Sequence, residues 1–252
     1  MIERPTSSLF SELGIQAAAM AVYRKGWEDS RAQDYPAAIR YYSDALGFPH
    51  VPEIFRARLL EFRGECHWLM GNYQAAEDDY RASLEASEDA NQVARARVRL
   101  GEVADFCGRP EEARPIYHQA LEEGTNVNNL LVIGRARRGL GILNRKQGNS
   151  EKAVRHLTQA LAAFRQLGDP REQARVLTSL GRTHHARGEY QSALTYHHEA
   201  LELLESLQDR WRIVQSLNDI GECHQSLYDV QNALDYHKRA LALANEYDSI
   251  VI

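Results

Sequence analysis

The sequence predicts an all-α fold, an α-solenoid of about six helix-turn-helix repeats. The first observation is composition: the 252 residues are rich in Ala, Leu, Glu, Arg and Gln, with 7 Pro and 16 Gly, and such residues favour helices. Alternating Val, Ile and Thr, the pattern of strands, is absent. The second observation is a glycine that recurs six times, at spacings of 37 to 40 residues. Such a period is typical of stacked helical repeats.

Four columns of residues keep the same register in all six copies. The glycine column is Gly26, Gly64, Gly101, Gly141, Gly181 and Gly221. Twelve residues later comes Ala38, Ala76, Ala113, Ala153, Ala193 or Ala233. Seven further on is a small residue followed by leucine, as in Ala45–Leu46 and Ala240–Leu241. Small residues allow two helices to cross closely, so we place the glycine on a first helix and the other columns on a second.

The turn between the two helices repeats as well. Gly71, Gly108, Gly148 and Gly188 stand where a helix would end in a residue of positive φ, a conformation that glycine adopts without strain. The sixth copy reads SLYDV at this place and lacks the glycine.

These residues resemble the tetratricopeptide repeat family, in its long-period branch of about 40 residues found in bacterial signalling and adaptor repeats. The matching pattern is Leu/Ile-Gly, then G-x-Y-x-x-A, then Ala-Leu, and its best copy is SLGRTHHARGEYQSALTYHHEAL (179–201). The resemblance implies one right-handed superhelical solenoid over 1–252 that catalyses no reaction, needs no cofactor and binds protein or peptide. We expect repeats at about 19–52, 57–90, 94–127, 134–167, 174–207 and 214–247, after an N-terminal extension at 1–15.

The resemblance also implies that the first helices line a concave groove. Positions six, three and two before the glycine, and one, four and five after it, share one helical stripe; we call it the first-helix stripe. Early copies place aromatic rings there and middle copies place arginines. Our candidate peptide-binding residues are Arg95, Arg99, Arg135, Arg138, Arg145, Arg175, Arg182, Tyr23, Trp27 and Phe62.

Charge is distributed unevenly along the chain. Residues 131–182 hold nine Arg and two Lys against three acidic residues, although the net charge is −5. Few acidic residues stand at helical spacing from Arg135, Arg137 and Arg138, so pairing within the helix is poor. Because guanidinium binds carboxylates in bidentate fashion, the sequence favours a basic groove for an acidic or carboxylate-bearing partner segment.

Two other functions stay open at this point. The chain could be the regulatory or sensor region of a larger bacterial signalling enzyme or transcription regulator, whose catalytic part lies beyond residue 252. The arginines could instead bind nucleic acid, but no stacking aromatic residues interleave them and the overall balance is acidic, so this reading is disfavoured.

Other signals are weaker. The clustered histidines, such as His184 and His185, lack the cysteine or carboxylate columns of a metal site, so we expect no metal. Three widely spaced cysteines, no signal peptide and no long apolar run favour the cytoplasm and exclude a membrane anchor. The last residues, Ile250–Ile252, are apolar, so we expect either that the parent protein continues beyond them or that this C-terminal edge self-associates.

Overall fold

The computed structural model describes residues 17–250, and the side chains of residues 22–245. The proposed extension at 1–15 and the apolar end at Ile250–Ile252 therefore lie outside the residues described in full. Helices account for 84% of the described part, which contains no strand, and the all-α prediction is confirmed. None of the helices described is long and apolar enough to cross a membrane.

Residues 17–250 form twelve helices, joined by short turns. They are α1 Ala17–Arg31, α2 Tyr35–Leu46, α3 Glu53–Leu69, α4 Tyr73–Glu85, α5 Ala90–Phe106, α6 Pro110–Asn126, α7 Leu130–Lys146, α8 Ser150–Leu167, α9 Pro170–Ala186, α10 Tyr190–Ser206, α11 Arg210–Ser226 and α12 Val230–Ile250. The odd-numbered helices carry the glycine column and are the first helices. The even-numbered helices carry the alanine and leucine columns.

Local chemistry defines the helix ends. An aspartate stands just before five of the described helices, where its side-chain oxygen accepts a backbone N–H of the first turn, as Asp89 does from Gln92 at 2.8 Å. Within the copies, the turn glycines Gly71, Gly108, Gly148 and Gly188 all have φ between +73° and +79°. The equivalent residues of the first and last copies, Gln33 and Tyr228, adopt the same left-handed region without being glycine.

The glycine column marks the closest approach of the two helices in each copy. A side chain of the second helix lies directly against each glycine: Tyr42, Tyr80, Tyr117, Leu157, His197 and His237 in chain order. A Cβ added to any of these six glycines would lie 2.5–2.9 Å from that side chain, closer than packing allows. The sequence therefore identified the crossing point correctly.

The chain divides into two compact units, Met1–Val132 and Ile133–Ile252. In each, helices adjacent in the chain contact one another, as α3 contacts α4 and α9 contacts α10, and the first helices α3 and α5, and α9 and α11, are also in contact. Phe55, Leu59 and Phe62 belong to one core in the first unit, and Leu194, Leu217 and Ile220 to one in the second.

Candidate functional site

Two of the predicted aromatic contacts lie in the core. Tyr23 and Phe62 are each 1% exposed, and their ring centroids are 5.7 Å apart. Phe55 meets Tyr23 edge-on at 5.5 Å. Large rings gain most from burial, and here they fill the space between the first two copies. The prediction that Tyr23 and Phe62 line a peptide groove is therefore wrong.

Trp27 lies nearer to the surface. It is half-buried, and the guanidinium of Arg31 lies 5.0 Å from its ring centroid. Arg31 shares the first-helix stripe with Trp27, so on this face of α1 the two side chains form a cation–π pair.

The arginines of the first unit form ion pairs within it. Arg95 donates to both oxygens of Glu61, at 3.0 and 3.2 Å, and Arg99 pairs with Glu65 at 2.7 Å and Glu102 at 3.1 Å. Burial alone would raise the pKa of Glu61, but Arg95 and Arg58 outweigh it and lower that pKa to about 2. These guanidiniums already have carboxylate partners on neighbouring first helices.

The second unit brings three predicted arginines to a single carboxylate. Glu172, at the start of α9, is only 5% exposed in its side chain. Arg135 donates to it at 2.9 Å, while Arg175 and Arg138 approach it at 3.5 and 3.9 Å. The sequence prediction missed Glu172 because it searched for acids within one helix, whereas this acid comes from the next first helix. We call Arg135, Arg138, Arg175 and Glu172 the arginine cluster.

Arg175 is the least satisfied member of the arginine cluster. Its side chain is 35% exposed, and its one ion contact among residues 22–245 is the 3.5 Å approach to Glu172. Burial lowers the pKa of Arg175 to about 10; Glu172 opposes this effect, and Arg138, Arg212 and Arg135 add to it. A further anion at Arg175 would offset the repulsion among these cations.

Next to this cluster an open depression of about 420 Å³ lies on the same helical faces. It is lined by Arg145, Arg182, His185, Ala186, His197, Asp219 and Glu222. Six of these residues belong to the first-helix stripe, on α7, α9 and α11. The seventh, His197, lies on the second helix α10. From the sequence we expected a basic surface on this stripe.

The charges around the depression are mixed. Arg182 donates to Asp219 at 3.0 Å, and His185 shares a hydrogen bond of 3.0 Å with Ser226. Burial lowers the pKa of His197 to about 4, so its imidazole is neutral at pH 7. Glu222 is exposed on the rim. Asp219 and Glu222 are functional candidates that the arginine pattern could not reveal.

No group of three or more His, Cys, Asp or Glu side chains able to hold a metal ion occurs within the described part of the chain. His184 instead pairs with Glu189 at 2.5 Å and stacks on Tyr196. His224 repeats this arrangement with Asp229 and Tyr236 forty residues later. These histidines connect the turn of a copy to its second helix.

Solved structures with the same fold include regulators and a sensor. One is a Rap protein complexed with Competence and Sporulation Factor, with 18% identity, 98% of this chain and 68% of that chain covered, and a TM-score of 0.75. Another is the Rap conjugation gene regulator of plasmid pLS20 in complex with the Phr* peptide, with 16% identity, 98% and 78% coverage, and a TM-score of 0.69.

A third is a signal transduction ATPase with a tetratricopeptide repeat sensor from Pyrococcus horikoshii, with 15% identity and a TM-score of 0.70. The match covers 91% of this chain but only 36% of that one. No curated protein sequence matches significantly.

The tetratricopeptide repeat family model matches the chain in four overlapping segments, at residues 55–122, 92–166, 132–206 and 172–246. They span most of the chain, and together with the repeated crossing geometry they show that this protein belongs to the tetratricopeptide repeat family.

Proposed function

We propose that the chain is a binding scaffold, and not an enzyme, whose first-helix stripe in residues 133–252 receives an acidic segment of a protein or peptide. The observation that carries this proposal is Arg175: it is one third exposed, has a single long ion contact, and lies among other guanidiniums. A carboxylate there would form charge-assisted hydrogen bonds in a partly buried site. The Rap structure with the Phr* peptide supports this proposal, because the same fold binds a peptide there.

The arginines of the first unit are secondary in this proposal. Arg95 and Arg99 already contact Glu61, Glu65 and Glu102, so a ligand would have to displace carboxylates that are held at 2.7–3.2 Å. We therefore expect Arg175, whose ion contact with Glu172 is 3.5 Å long, to contribute more to peptide binding than Arg95 and Arg99 do.

The test is peptide binding by matched arginine variants. Fluorescence anisotropy with acidic and neutral peptides would compare the natural chain with Arg175→Gln, Arg182→Gln and Arg155→Gln. Arg155 is exposed on the second helix α8, so its variant loses the same charge away from the stripe. We expect Arg175→Gln to weaken binding of acidic peptides about tenfold and Arg155→Gln to leave it unchanged. Equal affinities for all four proteins would contradict the proposal.

A second candidate function is that of a sensor region in a larger signalling protein. The Pyrococcus horikoshii ATPase supports it, because a repeat array of similar extent forms about a third of that chain as its sensor. An antibody raised against residues 133–245 would test it in extracts of the source cells. A band well above 28.6 kDa would support the sensor function, and a band at that mass would contradict it.

We also propose a cytoplasmic location and self-association through the face of α12. Cys66 and Cys223 are buried free thiols, which suits a reducing compartment. Leu241 is 62% exposed, whereas its equivalent Leu201 is 7% exposed beneath the next first helix. Light scattering should give a larger mass for the natural chain than for Leu241→Glu, with Leu69→Glu, exposed elsewhere, as the control.

A further inference from the structure

The first-helix stripe of residues 133–252 carries two available charges of opposite sign. The positive one is Arg175, described above. The negative one is Glu222, exposed on the rim of the depression. Within the described part of the chain, the Glu222 carboxylate has no ion pair or hydrogen bond, and only its backbone oxygen accepts one, from Ser226 at 2.9 Å.

The other charges at this surface are already engaged. Asp219 accepts from Arg182 at 3.0 Å, and its side chain is only 12% exposed. Glu172 has three guanidiniums around it. A ligand can therefore interact with Arg175 and Glu222 without breaking an existing pair.

The distance between the two charges follows from helix geometry. Arg175 and Arg182 are seven residues apart on α9, which corresponds to about 10 Å along the axis. Glu222 on α11 is level with Arg182, because each residue directly follows a column glycine. Since α9 and α11 are in contact, at an axial separation of about 9 Å, the backbones of Arg175 and Glu222 are about 14 Å apart. An extended chain covers this distance in about four residues.

We infer that the partner segment carries charges of both signs, an acidic group that binds Arg175 and a basic group that binds Glu222, about four residues apart in an extended chain. The inference rests on the proposed function and specifies its ligand. It replaces the purely acidic partner that the arginine-rich sequence predicts. A uniformly acidic peptide would meet repulsion from Glu222, so this carboxylate selects among acidic peptides.

A peptide set with a controlled charge pattern tests the inference. Nine-residue peptides would carry one Glu and one Lys at separations of one, two, four and six residues, in both orders. Companion sets would carry the Glu alone or the Lys alone, with the remaining positions drawn from Ala, Leu, Ser and Tyr. We expect a pair four residues apart, in one of the two orders, to bind about tenfold more tightly than Glu alone.

Charge reversal separates recognition from folding. Glu222→Lys should invert the preference, so that a second Glu at the former Lys position binds better than Lys. Glu151→Lys, which reverses an exposed acid on α8, should keep the natural preference. If peptides with Glu alone bind as tightly as the paired ones while Arg175→Gln still weakens both, this inference is wrong and the proposed function stands. If no peptide in the set binds, both are wrong.

Discussion

The imidazole of His197 lies directly against the backbone of Gly181, and a Cβ at position 181 would be 2.5 Å from its Nε2 atom. His197 is 1% exposed, so the ring has little room to move. The contact joins the first and second helices of the fifth copy at their crossing. Even a single methyl group added at position 181 should therefore change the free energy of unfolding.

Gly181→Ala should therefore destabilise the protein. An alanine in place of glycine inside a helix ordinarily stabilises it by about 0.5–1 kcal/mol, whereas overpacking here should cost about 1–3 kcal/mol. Urea unfolding followed by circular dichroism measures the difference. Gly141→Leu should be more severe, because even a Cβ there would be 2.6 Å from Leu157. A Gly181→Ala protein as stable as the natural one would refute the close crossing.

Stability should fall in mild acid because of His197. Its pKa is lowered to about 4 by burial and by Arg182, His185 and His198, with Asp219 opposing. The unfolded chain takes up this proton below about pH 6.5 and the folded chain only near pH 4, so folding loses about 2 kcal/mol between pH 7 and pH 5.

His197→Leu isolates this effect, since the fourth copy already has Leu157 against its glycine. The variant should show a smaller loss of unfolding free energy from pH 7 to pH 5 than the natural chain, with the other histidines common to both. Equal slopes in the two proteins would mean that His197 does not titrate as its burial implies.

The sequence was sufficient to predict where the two helices of a copy cross, but not to predict which charged side chains pair. The columns to which Gly141 and Ala153 belong can be recognised in the sequence, because the same small residue recurs at the helix crossing in every copy. The pairing of Arg135 with Glu172 depends on a neighbouring first helix 37 residues away, which no pattern within one helix contains. Likewise, Tyr23 and Phe62 lie on the predicted stripe, yet both side chains are buried in the core between the first two copies.

Tyr228→Gly should stabilise the protein. Tyr228 has φ of 60° and its side chain is 92% exposed, so the substitution removes backbone strain of about 1–2 kcal/mol at almost no loss of packing. The entropy of glycine in the unfolded chain offsets about half of this, leaving a gain of roughly 0.5–1 kcal/mol. Thermal unfolding should show a higher midpoint for Tyr228→Gly and an unchanged one for Tyr228→Phe.

The reciprocal change in the fifth copy provides a check. Gly188 has φ of +78°, and nothing would contact an added Cβ, so Gly188→Ala should lose about 1 kcal/mol through conformation alone. A loss of stability in Gly188→Ala together with a gain in Tyr228→Gly would confirm that both residues occupy the same turn position. A stabilising Gly188→Ala would contradict it.

Glu172→Gln should destabilise the protein and make it respond to anions. The variant leaves Arg135, Arg138 and Arg175 without the carboxylate that they share, which should cost about 3–5 kcal/mol. Added phosphate should raise the unfolding midpoint of this variant more than that of the natural chain. Arg175→Gln should change stability by less than about 1 kcal/mol, because its ion contact is long and partly solvated. If phosphate raised the unfolding midpoints of the natural chain, Glu172→Gln and Arg175→Gln equally, the excess of positive charge in the arginine cluster would be contradicted.

The short reach of the contacts between copies has a consequence for synthesis. The hydrogen bonds from Arg99 to Glu65, Arg182 to Asp219 and His185 to Ser226 span 34, 37 and 41 residues of chain, about one repeat each. Partners this close in sequence close small loops, and low contact order favours rapid folding. Within each unit, a copy can therefore pack onto its predecessor soon after leaving the ribosome, so each unit can begin to fold in the direction of translation before its last helices are made.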